Sequence, residues 1–366
     1  MKKKVLFILH LPPPVHGSSM VGKFIKNSVL INEGVVSEYI ALGTSKTLHE
    51  IGKNPIKKVG LYLKIVFQTV KQLVVFKPDL VYMAITAKGM AFYKDAFIAM
   101  LAKLSGKKVI YHLHNKSMED RQEKWLDVRL CKMLFKNTDV ILLSKHLYPD
   151  LQKYVPQTRV HYCPNGIPET LSKPNSTKSP KSDGIIKILF LSNLMEAKGV
   201  FVLLEACKIL ADKQLPFHCT FIGGESDITS EKLQQKVLEL DLSKKVHYAG
   251  RKYGAEKELA LSEADIFAFP TLNESFGLVN LEAMQFSLPV VSTLEGGIPD
   301  VVEEGKTGFL VDKGNAQALA DKLEILIVDP SLRLKMGNRG REKYEEEFTI
   351  KAFEKCFAKV LNDLLK

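Results

Sequence analysis

Short apolar segments, rich in β-branched and aromatic residues, alternate with helical patterns along almost the whole chain. Most of these segments are apolar at successive positions and not only at every second one, which is typical of strands in a parallel sheet covered by helices on both faces. We therefore predict an α/β protein with two doubly wound parallel sheets in tandem. The predicted strands are residues 4–10, 35–42, 79–85, 108–113, 139–144, 159–163, 186–192, 217–222, 245–249, 265–270, 289–293 and 308–311.

The length of 366 residues favours two domains, because single domains usually contain roughly 150–200 residues. The stretch 170–184 is rich in Ser, Lys and Pro and has no periodicity, which is typical of a linker. We predict domain one over residues 1–169 and domain two over residues 185–349. A final helix is predicted at about 350–366, with Thr349 as its candidate N-cap.

The net charge of +11 is unevenly distributed between the two halves. Residues 1–180 contain 28 Lys and Arg against 12 Asp and Glu, a balance of +16, whereas residues 181–366 contain 24 against 29, a balance of −5. A basic first half indicates an anionic partner. Nucleic acid is not expected, because the aromatic residues that would stack on bases are not interleaved with the basic ones.

A long helix with a broad apolar face is predicted over residues 55–77. Lys57, Lys64, Gln68 and Lys71 recur at helical spacing on its polar side. One explanation is a domain helix whose lysines are only solvated. The other is that these lysines, together with Lys2–Lys4, hold the protein against an anionic membrane, at about 1 kcal/mol per lysine.

The cysteines and the first residues favour a cytoplasmic protein. The five cysteines, at positions 131, 163, 207, 219 and 356, form no CxxC pair, which favours free thiols in a reducing compartment. The start, MKKKVLFILHLPPP, has the charged-then-apolar order of a signal peptide, but the apolar run breaks at His10 and no cleavage site follows.

The loops that follow the strands are the expected place for a site, because ligands of open parallel sheets bind beyond the carboxyl ends of the strands. Gly17 and the two serines after it open a helix with uncovered amide groups, which can bind phosphate. Lys198 lies at the positive end of a predicted helix, which is unfavourable unless an anion balances it. Gly296 and Gly297 would let backbone approach a ligand. Each feature also fits an ordinary turn or a solvated side chain.

Two glutamates lie around a helix start in the stretch NESFGLVNLEAMQFSLPVV, residues 273–291. Glu274 is predicted in the loop and Glu282 about five residues into the helix, roughly 8 Å along its axis. One elongated ligand could lie there, with its phosphate at the amides near Gly277 and its hydroxyl groups at the two carboxylates. The alternative is that Glu274 caps the helix and Glu282 is solvated.

Together these stretches resemble glycosyltransferase family 4, the group 1 glycosyltransferases, which are retaining enzymes of the GT-B fold. The resemblance is specific in residues 264–311, where Glu274 and Glu282 match the E-x7-E motif, and it includes 197–206 and 163–167. In the first half only the Gly17 loop and residues 110–114 are recognisable. It implies two Rossmann-like domains facing a central cleft, with the nucleotide-sugar donor on domain two, the acceptor on domain one, and the last helix packing back on domain one.

The resemblance also implies roles for single residues. Lys198 would bind the donor diphosphate, Glu282 the ribose hydroxyls and Glu274 the transferred sugar, while His114 would lie near that sugar. The implied catalytic residues are Glu274, Lys198 and His114. The implied donor-binding residues are Gly17, Asn193, Lys198, Arg251, Glu274, Ser275, Phe276, Gly277, Leu278 and Glu282.

One position departs from the family pattern. The family usually has Gly-Arg-Leu where this chain has Ser192, Asn193 and Leu194, so an uncharged amide replaces an arginine that binds the diphosphate. Either Lys198 and the helix ends suffice to neutralise the leaving phosphate, or another cation such as Arg251 takes part.

No metal ion or other cofactor is expected. The sequence has no Asp-x-Asp pair for a divalent ion. His112 and His114 would face the same side of a strand, but no acidic residue at a suitable spacing completes a metal site. We expect His112 in the core and His114 at the ligand-binding edge.

The expected function is transfer of a hexosyl or N-acetylhexosaminyl group from a UDP- or GDP-sugar to a glycan or lipid-linked acceptor. Surface polysaccharide or glycolipid synthesis is the expected process, in the cytoplasm or on the inner face of the cytoplasmic membrane. The alternatives are another GT-B enzyme, such as a nucleotide-sugar 2-epimerase, and a non-enzymatic nucleic-acid binder.

Overall fold

The computed structural model describes residues 2–14, 17–43, 55–116, 118–170 and 184–366. The chain divides into two compact units, Met1–Gly166 with Ile350–Lys366, and Ile167–Thr349. Residues 171–183, which make up most of the predicted linker 170–184, lie outside the described part, and so does the side chain of Lys57.

The first unit is built on a six-stranded parallel sheet with the strand order β2-β1-β3-β4-β5-β6. Its strands are β1 (Lys4–Leu9), β2 (Val36–Ala41), β3 (Leu80–Ile85), β4 (Lys108–Leu113), β5 (Asp139–Leu142) and β6 (Val160–Tyr162). Its helices are α1 (Gly17–Asn27), α2 (Val29–Glu33), α3 (Pro55–Val75), α4 (Gly89–Leu104), α5 (Trp125–Phe135) and α13 (Ile350–Leu365).

Helices cover both faces of the first sheet. Phe7, Tyr82 and Phe357 lie in the core between the sheet and α1, α2 and α13. Right-handed crossovers place α3, α4 and α5 on the other face, where α4 packs beside both α3 and α5. The edge strands β2 and β6 are largely half-buried or exposed, so the expectation of strands buried on both faces holds only for the central ones.

The second unit repeats this plan with the strand order β12-β11-β10-β7-β8-β9, again all parallel. Its strands are β7 (Ile186–Leu191), β8 (Phe217–Ile222), β9 (Val246–Tyr248), β10 (Ile266–Phe269), β11 (Val290–Thr293) and β12 (Gly308–Val311). Its helices are α6 (Val200–Asp212), α7 (Ser230–Glu239), α8 (Gly254–Glu263), α9 (Leu278–Gln285), α10 (Ile298–Val301), α11 (Ala316–Val328) and α12 (Pro330–Glu347).

The predicted pair of doubly wound parallel sheets is confirmed. All twelve predicted strands are present, each with ends within two residues of the prediction. Pattern reading succeeds here because a strand buried between two layers of helices must be apolar at nearly every position. Within the described residues, no helix combines the length and apolar character needed to cross a membrane.

Candidate active site

The candidate site lies along the edge of the second sheet where the parallel strands end. The strand order β11-β10-β7-β8-β9 brings together the five loops that follow these strands. They contain, in the order of the strands along this edge, Glu295, Glu274, Lys198, Gly224 and Arg251. This is the edge at which open α/β sheets bind ligands.

Lys198 and Glu274 form an ion pair at the centre of this edge. The Lys198 Nζ atom lies 2.9 Å from Glu274 Oε2 and also donates a hydrogen bond to the Asn273 carbonyl oxygen at 3.1 Å. Both side chains are 21% exposed, so the pair is shielded but open to a ligand. The anion that the sequence analysis requires beside Lys198 is therefore supplied by the protein itself.

Backbone contacts between the loops after β7 and β10 hold this pair together. The Ala197 carbonyl oxygen accepts hydrogen bonds from the Leu272 and Asn273 amides, at 2.9 and 3.1 Å. Gly199, with φ of +76°, lies so close to β10 that a Cβ atom there would be 1.9 Å from the Pro270 carbonyl oxygen. Only glycine fits this position, because any side chain would push the Lys198 turn away from Glu274.

The second oxygen of Glu274 binds its own loop. Glu274 Oε1 accepts hydrogen bonds from the Ser275 amide at 2.8 Å and the Phe276 amide at 3.4 Å. The helix α9 then begins at Leu278, with Gly277 as its N-cap and no side-chain capping bond. Glu274 therefore binds the amides of its own loop and Lys198, but it does not cap α9, as the alternative interpretation of the sequence had it.

Glu282 lies on the first turns of α9, as predicted, and has a lysine partner that sequence reasoning missed. Lys257 Nζ, on α8, is 2.9 Å from Glu282 Oε1, and both side chains are between a quarter and a third exposed. Because the two residues are 25 positions apart on different helices, no local spacing signals this pair.

Arg251 and Asn193 both contact Gly224, in the loop after β8. The Gly224 amide donates a hydrogen bond to Asn193 Oδ1 at 3.2 Å. The Arg251 guanidinium covers Gly224 so closely that a Cβ atom would be 2.2 Å from its Nη2 atom. Arg251 is exposed, and no carboxylate in the described part of the chain forms an ion pair with it. A cation therefore lies next to the position where the family has its arginine.

The loop after β11 packs against the loop of Glu274. The Gly297 amide donates a hydrogen bond to the Ser275 carbonyl oxygen at 2.8 Å. Asn280, in the first turn of α9, is fully buried, and its amide oxygen and nitrogen have no hydrogen-bond partner among the described residues. Sequence reasoning did not single out Asn280, although a polar residue among the apolar positions of α9 is a visible signal.

The predicted site residues of the first unit lie at the corresponding edge of the first sheet. Gly17 is the first residue of α1, and His114 follows β4, with its ring centroid 4.0 Å from that of His112. His112 is fully buried, as predicted, and its Nδ1 atom is 2.7 Å from the Tyr82 hydroxyl oxygen. Burial, with a smaller contribution from His114, holds the pKa of His112 well below its usual value, so its ring is neutral.

The described residues contain no group of three His, Cys, Asp or Glu side chains arranged to hold a metal ion. The cations at the edge of the second sheet include Lys198 and Arg251, and cations beside a helix start are suited to binding a phosphate.

Comparison with known proteins places the second unit near a known enzyme family. The profile of the family described as "Glycosyl transferases group 1" matches residues 172–343, which contain all the charged residues of the site. Residues 172–343 therefore resemble the group 1 glycosyltransferases. The resemblance seen in the motif of Glu274 and Glu282 is thereby confirmed.

Two relatives illustrate the extent of the match. The chain is 30% identical over 243 residues to WcaL of Escherichia coli strain K12, a glycosyltransferase named for colanic acid biosynthesis, covering 64% of this chain and 59% of WcaL. It is 30% identical over 177 residues to the capsular polysaccharide biosynthesis glycosyltransferase CapM of Staphylococcus aureus, covering 48% of this chain and 46% of CapM. The chain thus spans about half the length of these curated relatives.

A solved structure matches almost the whole chain. HepE of Anabaena, in complex with UDP and glucose, is 19% identical with a TM-score of 0.71, over 98% of this chain and 99% of HepE. At this identity the likeness concerns the fold alone, and it confirms the predicted GT-B fold class.

Proposed function

We propose that the protein is a retaining, metal-independent glycosyltransferase that moves a sugar from a nucleotide-sugar donor to a glycan or lipid-linked acceptor. The observation that carries this proposal is the Lys198–Glu274 pair beside the start of α9, at the edge where this fold binds ligands. It unites a cation for a diphosphate with a carboxylate for a sugar hydroxyl.

In the proposed reaction, the main task of the protein is to stabilise negative charge on the departing nucleoside diphosphate. Lys198 is one source of positive charge, and a bound diphosphate would compete with Glu274 for its ammonium group. Arg251 is the second source, because it lies exposed over Gly224 without a carboxylate partner in the described chain. Glu282 would accept hydrogen bonds from the ribose hydroxyls once it leaves Lys257.

The named relatives support a role in polysaccharide synthesis. WcaL and CapM are named for colanic acid and capsule, and HepE is solved with UDP and glucose. A UDP-hexose is therefore the first donor to test, followed by N-acetylhexosamine and GDP donors. The site of action would be the cytoplasm or the inner face of the cytoplasmic membrane. The roles of Gly17 and His114 stay predictions from the resemblance.

The experiment is a thermal-shift panel of UDP- and GDP-sugars, followed by a transfer assay with the stabilising donor. A bound donor at about a hundred times its Kd stabilises the protein by about 2.7 kcal/mol. We expect such a shift for one nucleotide class, and its loss in Lys198→Ala. Lys208→Ala is the matched control, because Lys208 also pairs with an acidic residue but lies on the exposed surface of α6.

The metal-independent mechanism is tested in the same assay. We expect full transfer in EDTA, because the protein supplies the positive charges itself. Activity that disappears with chelator and returns with manganese would contradict this mechanism. Epimerisation of the donor without any acceptor would instead favour the 2-epimerase alternative.

A further inference from the structure

The helix α3 exposes an apolar stripe to solvent. The stripe consists of Val59, Leu63, Phe67, Val70 and Val74, each between 43% and 69% exposed. At 3.6 residues per turn, these five positions fall within about 80° of the helix circumference. Among the described side chains of α3, the buried ones are Ile65, Thr69 and Leu73, on a different side of the helix. The broad apolar face predicted from the sequence is therefore largely outside the core.

The neighbouring helices continue this exposed apolar surface. Further exposed apolar or aromatic residues are Met90, Tyr93, Phe97 and Leu104 on α4, and Trp125, Leu126 and Met133 on α5. The three helices are joined side by side, since Tyr62 on α3 donates to the Lys94 carbonyl oxygen on α4 at 3.0 Å, and Tyr93 on α4 donates to Asp127 on α5 at 2.7 Å. We call these exposed residues of α3, α4 and α5 the α3–α5 face.

The charges of the α3–α5 face all have one sign. The three helices contain two acidic residues, Asp95 and Asp127, and both are buried. Asp95 accepts a hydrogen bond from the Thr86 amide at 2.9 Å, and Asp127 binds Arg121 at 3.0 Å. Among the described side chains, the exposed charged residues of the three helices are Lys64, Lys71, Lys94, Arg129 and Lys132. Glu119 and Glu123, in the loop before α5, are exposed acids adjacent to these helices.

This combination favours an anionic bilayer over a second copy of the chain. Two copies meeting through the α3–α5 face would bring lysines of α3 against like charges, which is costly. A bilayer accommodates both the apolar side chains and the lysines. The apolar side chains enter the boundary of the acyl chains while the lysines contact anionic headgroups. Tryptophan is also enriched at that depth, and Trp125 is 69% exposed.

We propose that the α3–α5 face is a bilayer-binding surface that inserts the α3 stripe and Trp125 into the interface of an anionic membrane. Lys64 and Lys71 on α3 bind the headgroups beside the stripe. The hypothesis from the sequence was that lysines alone hold the protein on an anionic membrane. The structure adds the exposed apolar stripe as a second contribution to binding. The inference rests on the proposed function in one respect, that an acceptor carried on a lipid would be reached from this position.

Trp125 provides a direct probe, because it is the only tryptophan of the chain. The full-length protein is titrated with vesicles of phosphatidylcholine alone and of phosphatidylcholine mixed with phosphatidylglycerol. We expect a blue shift of the Trp125 emission with the mixed vesicles, quenching by brominated acyl chains, and co-sedimentation that weakens at high salt. No donor or acceptor is present, so the result is independent of the transferase activity.

Separate variants test the contribution of the lysines and that of the apolar stripe to vesicle binding. Lys64→Glu combined with Lys71→Glu is expected to raise the lipid concentration for half-maximal binding by more than about tenfold. Phe67→Ser, which removes an exposed side chain from the stripe, is expected to raise it by about tenfold. The matched controls are Lys335→Glu and Leu334→Ser on α12 of the second unit, which are similarly exposed and should bind like the wild type.

Three results would overturn the proposal. The first is an unchanged Trp125 spectrum with no co-sedimentation on the mixed vesicles. The second is vesicle binding that the α3 variants and the α12 controls reduce equally. The third is a concentration-dependent dimer, measured by light scattering, that Phe67→Ser abolishes, because the stripe would then be a self-association surface. Donor-induced thermal shifts in the same variants show separately whether the second unit is intact.

Discussion

The two units share one architecture but treat their charges in opposite ways. In the second unit, Lys198 and Lys257 lie 2.9 Å from Glu274 and Glu282, so each of these lysines has a carboxylate partner. In the first unit, the acids of α4 and α5 are buried, whereas Lys64 and Lys71 have no ion-pair partner among the described residues. The second unit thus pairs the charged side chains along its loop edge, whereas the first exposes lysines beside apolar side chains.

This difference explains why the charge excess is found in the first half of the chain and the recognisable motif in the second half. Ion pairs balance the charges of the second unit locally, which leaves a small net charge and a recognisable motif around Glu274. The excess of +16 in residues 1–180 has no such local balance. These charges lie on exposed lysines and arginines that form no sequence motif.

The largest expected effect comes from breaking the central pair of the second unit. Lys198→Ala should lower kcat by about 10²–10³-fold, because one preorganised positive group at the departing phosphate is lost. The measurement is steady-state transfer with the donor found in the thermal-shift panel. Unreduced turnover in Lys198→Ala, with Lys208→Ala also active, would show that Lys198 serves only to hold Glu274.

Variants of the two glutamates should affect nucleotide binding and turnover differently. Glu282→Ala is expected to weaken nucleoside diphosphate binding by about 1.5–3 kcal/mol, because charged hydrogen bonds to the ribose are lost. Glu274→Ala should mainly reduce kcat, since its proposed contact is with the sugar. Isothermal titration with the free nucleoside diphosphate measures the first effect. Glu263→Ala on α8, an exposed glutamate, is the control. Equal affinity in Glu282→Ala and wild type would refute the ribose assignment.

How far the sequence predicts the site depends on whether the information is local. The strand ends, the Gly277 helix start and the positions of Glu274 and Glu282 follow from periodicity and turn residues within a short window. The partners of the charged groups do not, because Lys198 and Glu274 are 76 positions apart and Lys257 and Glu282 are 25 apart. Sheet order brings these residues together, and the sequence pattern does not specify sheet order.

Exposure of α3 was equally invisible in the sequence. An apolar stripe in a 21-residue helix normally indicates the side that packs on the core. Here α3 is an outer helix over the sheet and buries Ile65, Thr69 and Leu73 instead. The helix has two apolar sides, and a periodicity of 3.6 cannot show which of them meets the sheet.

Asp95 is a buried acid of the first unit whose titration should affect the free energy of unfolding. Burial raises the pKa of Asp95 from 3.8 to about 6, although the hydrogen bonds from Thr86 lower it in part. Because the folded pKa is the higher one, the folded state binds more protons between these values, and stability falls as the pH rises from about 4 to about 6. At 1.36 kcal/mol per pKa unit, the loss is at most about 3 kcal/mol.

Asp95→Asn should remove this loss while keeping an oxygen for the Thr86 amide. We expect urea denaturation to give the variant an advantage over wild type near pH 7 that largely disappears near pH 4. Vesicle binding should be unchanged, because Asp95 does not contribute to the exposed charge. A stability difference that is the same at both pH values would mean that Asp95 is not titrating in the folded protein.

The smallest expected effect concerns Arg251, the cation that we propose acts in place of the family arginine. Arg251→Ala should raise the Kd of the nucleoside diphosphate by about tenfold, which corresponds to about 1.4 kcal/mol, and Lys252→Ala next to it should not. Asn193→Arg in the Arg251→Ala background should recover affinity, because a guanidinium at either position can reach the space over Gly224. The hydrogen bond from the Gly224 amide to Asn193 Oδ1 is lost in that double variant, so its Tm should fall even as binding improves. If Arg251→Ala binds the diphosphate like wild type, the charge of the site rests on Lys198 and the start of α9 alone, and the second unit needs fewer cations than its family pattern implies.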